Sequence, residues 1–400
     1  MIKKRLLFVI ESLVCAGAEK SLVTLLNLID YSKYDVDLQL FSYGGEFECM
    51  LPVEVNLLPS LRYFQETRKS LKSYVSKRSS LEEWRMLRGR LAYSIALRTS
   101  NYNNPQKAVL FWKHTHQCFD VTEKTYDVAI AYAQGTPTFY VADCVKAAKK
   151  FAWVNVTYRP DGKYRNFVSE KYASFDKICC VSDSAYEVFR EVFPERANKG
   201  TILYDINDGG MIRRMSEMSS PAVEEMKNNG YTLLTIGRLA PQKGYEIALK
   251  ACKCLKDREI DFKWYALGRG PLEDEITKKI AEYGLEQYFV LLGTRANPYP
   301  YIKKADIYVQ TSRLEGYGLA IAEARMLNTP VVTTRFDAVY AQMIEGENGL
   351  VVDMDGEAVA DGIHRLMNDP KLYEHIVEFQ KTEKKGNYEE LDKFYALIES

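Results

Sequence analysis

Short, mostly apolar runs recur along the chain, each closed by a polar turn and followed by a longer stretch with apolar residues at helical spacing. In the first half the runs are Leu6–Ile10, Val36–Phe41, Val128–Tyr132, Phe151–Val156 and Lys177–Val181. In the second they include Tyr231–Gly237, Phe262–Gly270 with its glycine turn, Ala305–Gln310 and Asn328–Thr334. Runs of this kind read as buried strands, and strands alternating with helical stretches predict α/β architecture. The segment Leu203–Pro221, rich in Asp, Gly, Ser and Met, reads as a crossing between two such halves. The expected division is therefore residues 1–205, residues 206–380, and a tail, 381–400, carrying the amphipathic helix Tyr388–Ile398.

Composition narrows the classes. Four hundred residues suit two or three domains at about 150 residues each, and 46% hydrophobic content can fill their cores. Lys plus Arg and Asp plus Glu are equal at 54 each, so no global field favours nucleic acid, and none is expected as a partner. No apolar run reaches transmembrane length, and Glu11 and Ser12 interrupt the only stretch resembling a signal core, which predicts a cytoplasmic chain. Eight cysteines lack metal-site spacing and read as reduced, largely buried thiols.

The chemistry concentrates in turns that follow strands. After Ala305–Gln310 comes Thr311–Glu323, TSRLEGYGLAIAE, in which Glu315 sits in a glycine-rich turn and Gly316, Tyr317, Gly318 and Leu319 lead into a helix. Backbone N–H groups and the positive end of a helix converge in such a turn and suit a diphosphate or sugar hydroxyls. Glu323 lies further along the helix, where it can reach a second hydroxylated group such as a ribose. Upstream, the strand Tyr231–Gly237 runs into Arg238-Leu239-Ala240-Pro241-Gln242-Lys243-Gly244, a loop carrying two cations suited to a dianionic leaving group. Each charge-assisted hydrogen bond there is worth about 1.5–3 kcal/mol.

The block Thr311–Glu323 resembles the Glu-x7-Glu motif of retaining nucleotide-sugar glycosyltransferases of the GT-B fold, family GT4. Arg238–Gly244 is similar to that family's loop whose Arg and Lys hold the donor diphosphate. Leu13–Glu19 resembles its GGAE loop, with Ala16 in place of the first glycine and Gly17 keeping the second. Where many members carry a histidine that contacts the donor sugar, after an Ala-Trp-hydrophobic run, Asn155 follows Ala152-Trp153-Val154. Asparagine can hydrogen-bond a hydroxyl but carries no proton.

The resemblance implies two Rossmann-like domains facing a cleft. The first is on the acceptor side, the second binds the nucleotide sugar, and a C-terminal helix crosses back to the first. It also implies a retaining transferase that uses a nucleotide sugar, with a UDP-sugar expected. The expected acceptor is a glycan, a polysaccharide precursor such as a capsule unit, or a lipid-linked glycan. Glu315, Arg238 and Lys243 would carry catalysis; Gly17, Asn155, Gly316, Tyr317, Gly318, Leu319 and Glu323 would bind the donor. The alternative is a catalytically silent GT-B subunit that binds glycan or chaperones a partner transferase. A sugar-nucleotide epimerase would need acid–base groups at the sugar, and none stands out.

No cofactor or metal is expected. Asp35-Val36-Asp37 and Asp353-Met354-Asp355 match an Asp-x-Asp string, but read better as strand-edge and helix-capping acids, with Arg238 and Lys243 taking the role of a cation. From Arg62 to Arg98, ten Lys and Arg face three Glu, and Leu81, Trp84, Leu87, Leu91 and Ile95 recur at helical spacing. This reads either as a helix packed on its own domain or as peripheral contact with anionic membrane at the inner face of the plasma membrane.

Overall fold

The computed structural model describes residues 3–67, 80–218 and 221–400. The chain divides into two compact units. One takes the residues up to Val14, Ala18–Tyr204 and Lys393–Ser400; the other takes Cys15–Gly17 and Asp205–Asp392.

In the first unit β1 (Lys4–Ile10), β2 (Tyr34–Leu40), β3 (Asn56–Leu57), β4 (Thr125–Ala131), β5 (Lys146–Val154), β6 (Lys177–Cys180) and β7 (Gly200–Ile202) form a parallel sheet. Their order is β3-β2-β1-β4-β5-β6-β7. In the second, β8 (Tyr231–Ile236), β9 (Phe262–Leu267), β10 (Phe289–Gly293), β11 (Ile307–Gln310), β12 (Val331–Thr334) and β13 (Leu350–Val352) are also all parallel. Their order is β10-β9-β8-β11-β12-β13. Strand order reverses between β1 and β4, and between β8 and β11. At such switch points the loops leaving neighbouring strands diverge and open a crevice beyond the carboxyl ends.

The apolar runs follow from burial on both faces. Leu233, Trp264, Val309 and Val332 belong to one core of the second unit, and their neighbours Leu234, Tyr265, Tyr308 and Val331 to another. Successive side chains of a strand point to opposite faces, so one run of residues supplies both cores. In the first unit Leu7, Ala152 and Cys180 fill one core. Phe8 and Trp153, buried at alternate positions, meet Phe394 of the tail helix Glu389–Glu399.

The two-residue β3 and three-residue β7 lie at the edges of their sheet and had no counterpart in the sequence reading. The crossing contains a helix, Gly209–Ser216, capped by the Asp208 side chain, which accepts from the Met211 N–H. Asp37 lies within β2 and is buried. It accepts from Lys124 Nζ at 2.6 Å, Tyr126 OH at 2.7 Å and Asn56 Nδ2 at 2.9 Å. Burial works against its charge, but those donors outweigh it and hold the carboxyl below its usual range. Asp355 caps the helix Gly356–Asn368, accepting from the N–H groups of Glu357 and Ala358.

The helix Leu81–Leu97, capped by Ser80, departs from the simpler expectation. Of the apolar stripe only Leu87 is buried; Leu81, Trp84, Leu91 and Ile95 are exposed. The helix packs instead through Met86, Leu87 and Gly89, where a Cβ on Gly89 would meet His114 O at 2.8 Å. Arg85, Arg88 and Arg98 are exposed beside the stripe. Arg68, Lys69, Lys72, Lys77 and Arg78 lie outside the described residues. Among the described residues no helix is long and apolar enough to cross a membrane.

Candidate functional site

The loops leaving β8 and β11 meet at the switch point of the second sheet. Ile307 and Tyr308 pair with Leu233 and Leu234, so both strands deliver their loops to the same edge. The β8 loop passes Arg238, tightens into a 3₁₀ turn at Pro241–Lys243 and enters the helix Tyr245–Asp257. Gly244 makes that entry at φ 62°, and a Cβ there would stand 2.1 Å from Thr311 O. Only glycine allows both the left-handed backbone and this approach to the β11 loop. Hydrogen bonds to backbone carbonyls lock the loops together: Arg313 N–H donates to Gln242 O at 2.8 Å, and the Thr311 hydroxyl to Lys243 O at 3.1 Å.

This clamp brings Lys243 to Glu315, with Nζ 2.5 Å from Oε1. The same oxygen accepts from Gln310 Nε2 at 2.7 Å and Ser312 Oγ at 2.6 Å. Gln310 is oriented in turn by Tyr308 OH, which donates to its Oε1. The buried phenols of Tyr245 and Tyr308 are pushed up by burial, and further by the Glu315 charge. Glu315 and Lys243 are largely covered, with side chains 13% and 20% exposed. Removing Glu315 would take the shared acceptor from Lys243 and Ser312, at a cost of roughly 1–3 kcal/mol for a buried donor, while Gln310 Nε2 keeps Ser312 Oγ at 2.7 Å.

Arg238 is exposed and pairs with no carboxylate among the described residues, so it does not join the Lys243–Glu315 cluster. Glu315-Gly316-Tyr317-Gly318 turns into the helix Leu319–Met326, with Gly318 at φ 84° as its first cap. Glu323, on that helix, is buried and accepts from Tyr299 OH at 3.4 Å. That phenol is pushed well up by burial first and by Glu323 second. Gly17 opens the helix Gly17–Leu28. In the first unit Asn155 follows β5; its N–H donates to Gln134 Oε1 at 3.1 Å and its Nδ2 to Tyr132 O at 2.8 Å. Its buried Oδ1 has no hydrogen-bond partner among the described residues.

Gln310 and Ser312 were not singled out from sequence. The signal was present: Tyr308, Gln310 and Ser312 place hydrogen-bonding groups at every second position of an otherwise apolar strand and its exit. Among the described residues no three His, Cys, Asp or Glu gather as metal ligands would.

Residues 219–383 match the family model described as glycosyl transferases group 1. That stretch of the second unit is similar to the group 1 glycosyltransferases. Arg238, Lys243, Glu315–Leu319 and Glu323 fall inside the match; Gly17 and Asn155 lie outside it. Over 221 residues the chain is 28% identical to the N-acetylgalactosamine-N,N'-diacetylbacillosaminyl-diphospho-undecaprenol 4-alpha-N-acetylgalactosaminyltransferase of Campylobacter jejuni, covering 55% of this chain and 58% of that protein. It is 24% identical to the capsular polysaccharide biosynthesis glycosyltransferase CapM of Staphylococcus aureus, covering 52% and 57%. The matches thus span little more than half the length of these relatives. The fold is GT-B: the crystal structure of a TarM variant of S. aureus with fondaparinux, alpha-GlcNAc-glycerol and UDP superposes with TM-score 0.69 at 13% identity, covering 99% of this chain and 100% of that one.

Proposed function

We propose that this protein is a retaining, metal-independent glycosyltransferase. It moves a sugar from a UDP-sugar to a glycan or lipid-linked glycan in the assembly of a cell-surface polysaccharide. The observation that carries this reading is the Lys243–Glu315 pair at the β8/β11 switch point, beside a glycine turn that opens a helix. The bond broken joins the anomeric carbon to the β-phosphate oxygen, and the bond formed joins that carbon to an acceptor hydroxyl oxygen. The acceptor proton passes to the departing phosphate on the same face, which retains configuration. Arg238, Lys243 and the N–H groups from Gly316 to Leu319 would bear the charge that grows on the leaving diphosphate. Glu315 would orient sugar hydroxyls through the oxygen that Lys243, Gln310 and Ser312 leave unused. Glu323 would hold the ribose, and Gly17 and Asn155 are further donor-binding candidates. Asn155 Oδ1, buried without a donor, is suited to accept from a sugar hydroxyl. Metal independence is supported by the Asp-x-Asp strings, where Asp37 and Asp355 already take other donors.

Incubation with a panel of radiolabelled nucleotide sugars in excess EDTA tests this. Slow hydrolysis of a UDP-sugar, undiminished by EDTA, is the expected result. Loss restored by manganese or magnesium would overturn the Arg–Lys account. Inertness towards every donor would favour a silent glycan-binding subunit.

The membrane part of the proposal rests on the helix Leu81–Leu97. Its exposed Leu81, Trp84, Leu91 and Ile95 beside Arg85 and Arg88 suit insertion among anionic head groups at the inner face of a membrane, with about 1 kcal/mol from each cation near the surface. Flotation should recover the protein with anionic vesicles at low salt. Binding should weaken with added salt, and fall when Lys69, Lys72, Lys77 and Arg78 are changed to Glu or when Trp84 and Ile95 are. No recovery on strongly anionic vesicles would leave a soluble acceptor.

A further inference from the structure

The turn that would cradle the diphosphate lacks a side-chain cap of its own, since Gly318 stands at the cap position. Its backbone is held from elsewhere. Gln342, 7% exposed, donates through Nε2 to Tyr317 O and, at 3.2 Å, to Gly318 O. Its Oε1 accepts from Arg325 Nη1 at 3.4 Å. Arg325, on the helix the turn begins, also grips both carboxylate oxygens of Glu383, Nε at 3.2 Å from Oε2. Asn348, fully buried, closes the ring: its Nδ2 donates to Gln342 O at 3.0 Å and to Glu383 Oε1 at 2.9 Å. Lys385 secures the same helix from below, donating to Arg325 O at 2.9 Å and Asn328 Oδ1 at 2.8 Å. Burial pushes its ammonium down to about 8.

In a trans peptide the C=O and the following N–H point in opposite directions. Gly318 O is also the first acceptor of the helix, taking the Ile321 N–H at 2.9 Å, so the helix itself sets that peptide; what Gln342 adds is its hold on Tyr317 O, which turns the Gly318 N–H away from it. We propose that Gln342 is the positioning residue of the donor turn, orienting the Gly318 N–H as an anion-binding donor of the site beside the Leu319 N–H that the helix start presents. This rests on the donor-site reading above. Gln342 touches no reacting atom; it acts through the Tyr317–Gly318 peptide it holds. Arg325 holds the Gln342 side chain and Asn348 its backbone carbonyl, and Glu383 braces both, so the tail segment after the helix Pro370–Thr382 supports the turn indirectly.

Gln342→Glu keeps the shape but removes the N–H donors and sets a carboxylate against two carbonyls. On the full chain, hydrogen–deuterium exchange of the peptide Glu315–Glu323 and UDP binding by calorimetry are compared with wild type. Expected are roughly tenfold faster exchange and roughly tenfold weaker UDP binding, the scale of one or two lost hydrogen bonds, with the melting temperature moved by only a few degrees. Gln342→Met, also unable to donate, carries the comparison if Gln342→Glu fails to fold. Unchanged exchange, or faster exchange with unchanged UDP affinity, would overturn the inference. A wild-type protein that binds no UDP would overturn the donor-site reading, and this inference with it.

Discussion

Lys243→Ala is expected to lower kcat/KM for the nucleotide sugar by about 10²–10³-fold, the scale of removing one donor aimed at developing negative charge, while leaving the protein folded. Lys243 and Arg238 are the two cations of the β8 loop, but the structure sets them apart. Arg238 is exposed and pairs with no carboxylate among the described residues, whereas Lys243 is held against Glu315 and backed by the loop clamp at Gly244. A fixed charge needs no reorganisation when the diphosphate departs, so Lys243 should matter more than Arg238. Removing it is also structurally mild, because Glu315 keeps Gln310 Nε2 and Ser312 Oγ. Glu315→Ala is the less clean variant, since it removes the acceptor shared by Lys243, Gln310 and Ser312; Glu315→Gln preserves the shape and removes the charge. Lys243→Arg should not restore full activity, because a planar guanidinium cannot occupy the same single point as an ammonium. Steady-state kinetics beside thermal melts separate loss of chemistry from loss of fold. Near wild-type turnover in Lys243→Ala would show that this edge of the sheet is not where the donor reacts.

Most strands were legible because parallel strands buried on both faces are apolar almost throughout. The runs read as Leu6–Ile10 and Tyr231–Gly237 are β1 and β8 within a residue or two. β3 and β7 were not legible, as strands of two and three residues carry no period to read. The turn at Glu315 was legible from its glycines and from the strand before it. Its partner was not: Lys243 and Glu315 are 72 positions apart, and only the reversal of strand order between β8 and β11 puts them in contact. Likewise, spacing shows that Leu81, Trp84, Leu91 and Ile95 share a face. It cannot show whether that face is covered, and here it is exposed while Met86 and Leu87 pack inward. Gln342 was invisible for another reason: its role lies in an amide reaching a backbone 24 and 25 residues away, and no local pattern marks that.

Phe394→Ala is expected to destabilise the first unit by about 3–5 kcal/mol, the usual cost of emptying a buried aromatic site. Phe394 is fully buried. Its ring lies 6.2 Å from Phe8 and 6.4 Å from Trp153, on the sheet face opposite the main core of that unit. Tyr395 stacks on Tyr34 at 5.7 Å, and Ile398 is buried below. The ionic contact at the same end is Glu399 with Lys4 Nζ at 2.5 Å, and both side chains are well exposed. An exposed pair of that kind is worth about 0–1 kcal/mol, so Lys4→Ala should cost several-fold less than Phe394→Ala. Burial of the aromatic ring, rather than the ion pair, is then what fastens the tail. A Trp264→Phe background makes the measurement local: the remaining tryptophans, Trp84, Trp112 and Trp153, all lie in the first unit. Denaturant unfolding followed by their fluorescence should show the Phe394→Ala transition moved to much lower denaturant, with Lys4→Ala close to wild type. A Phe394→Ala effect below about 1 kcal/mol, less than the cost of most buried truncations, would mean that the last turns of the chain only rest on the first unit and do not complete its core.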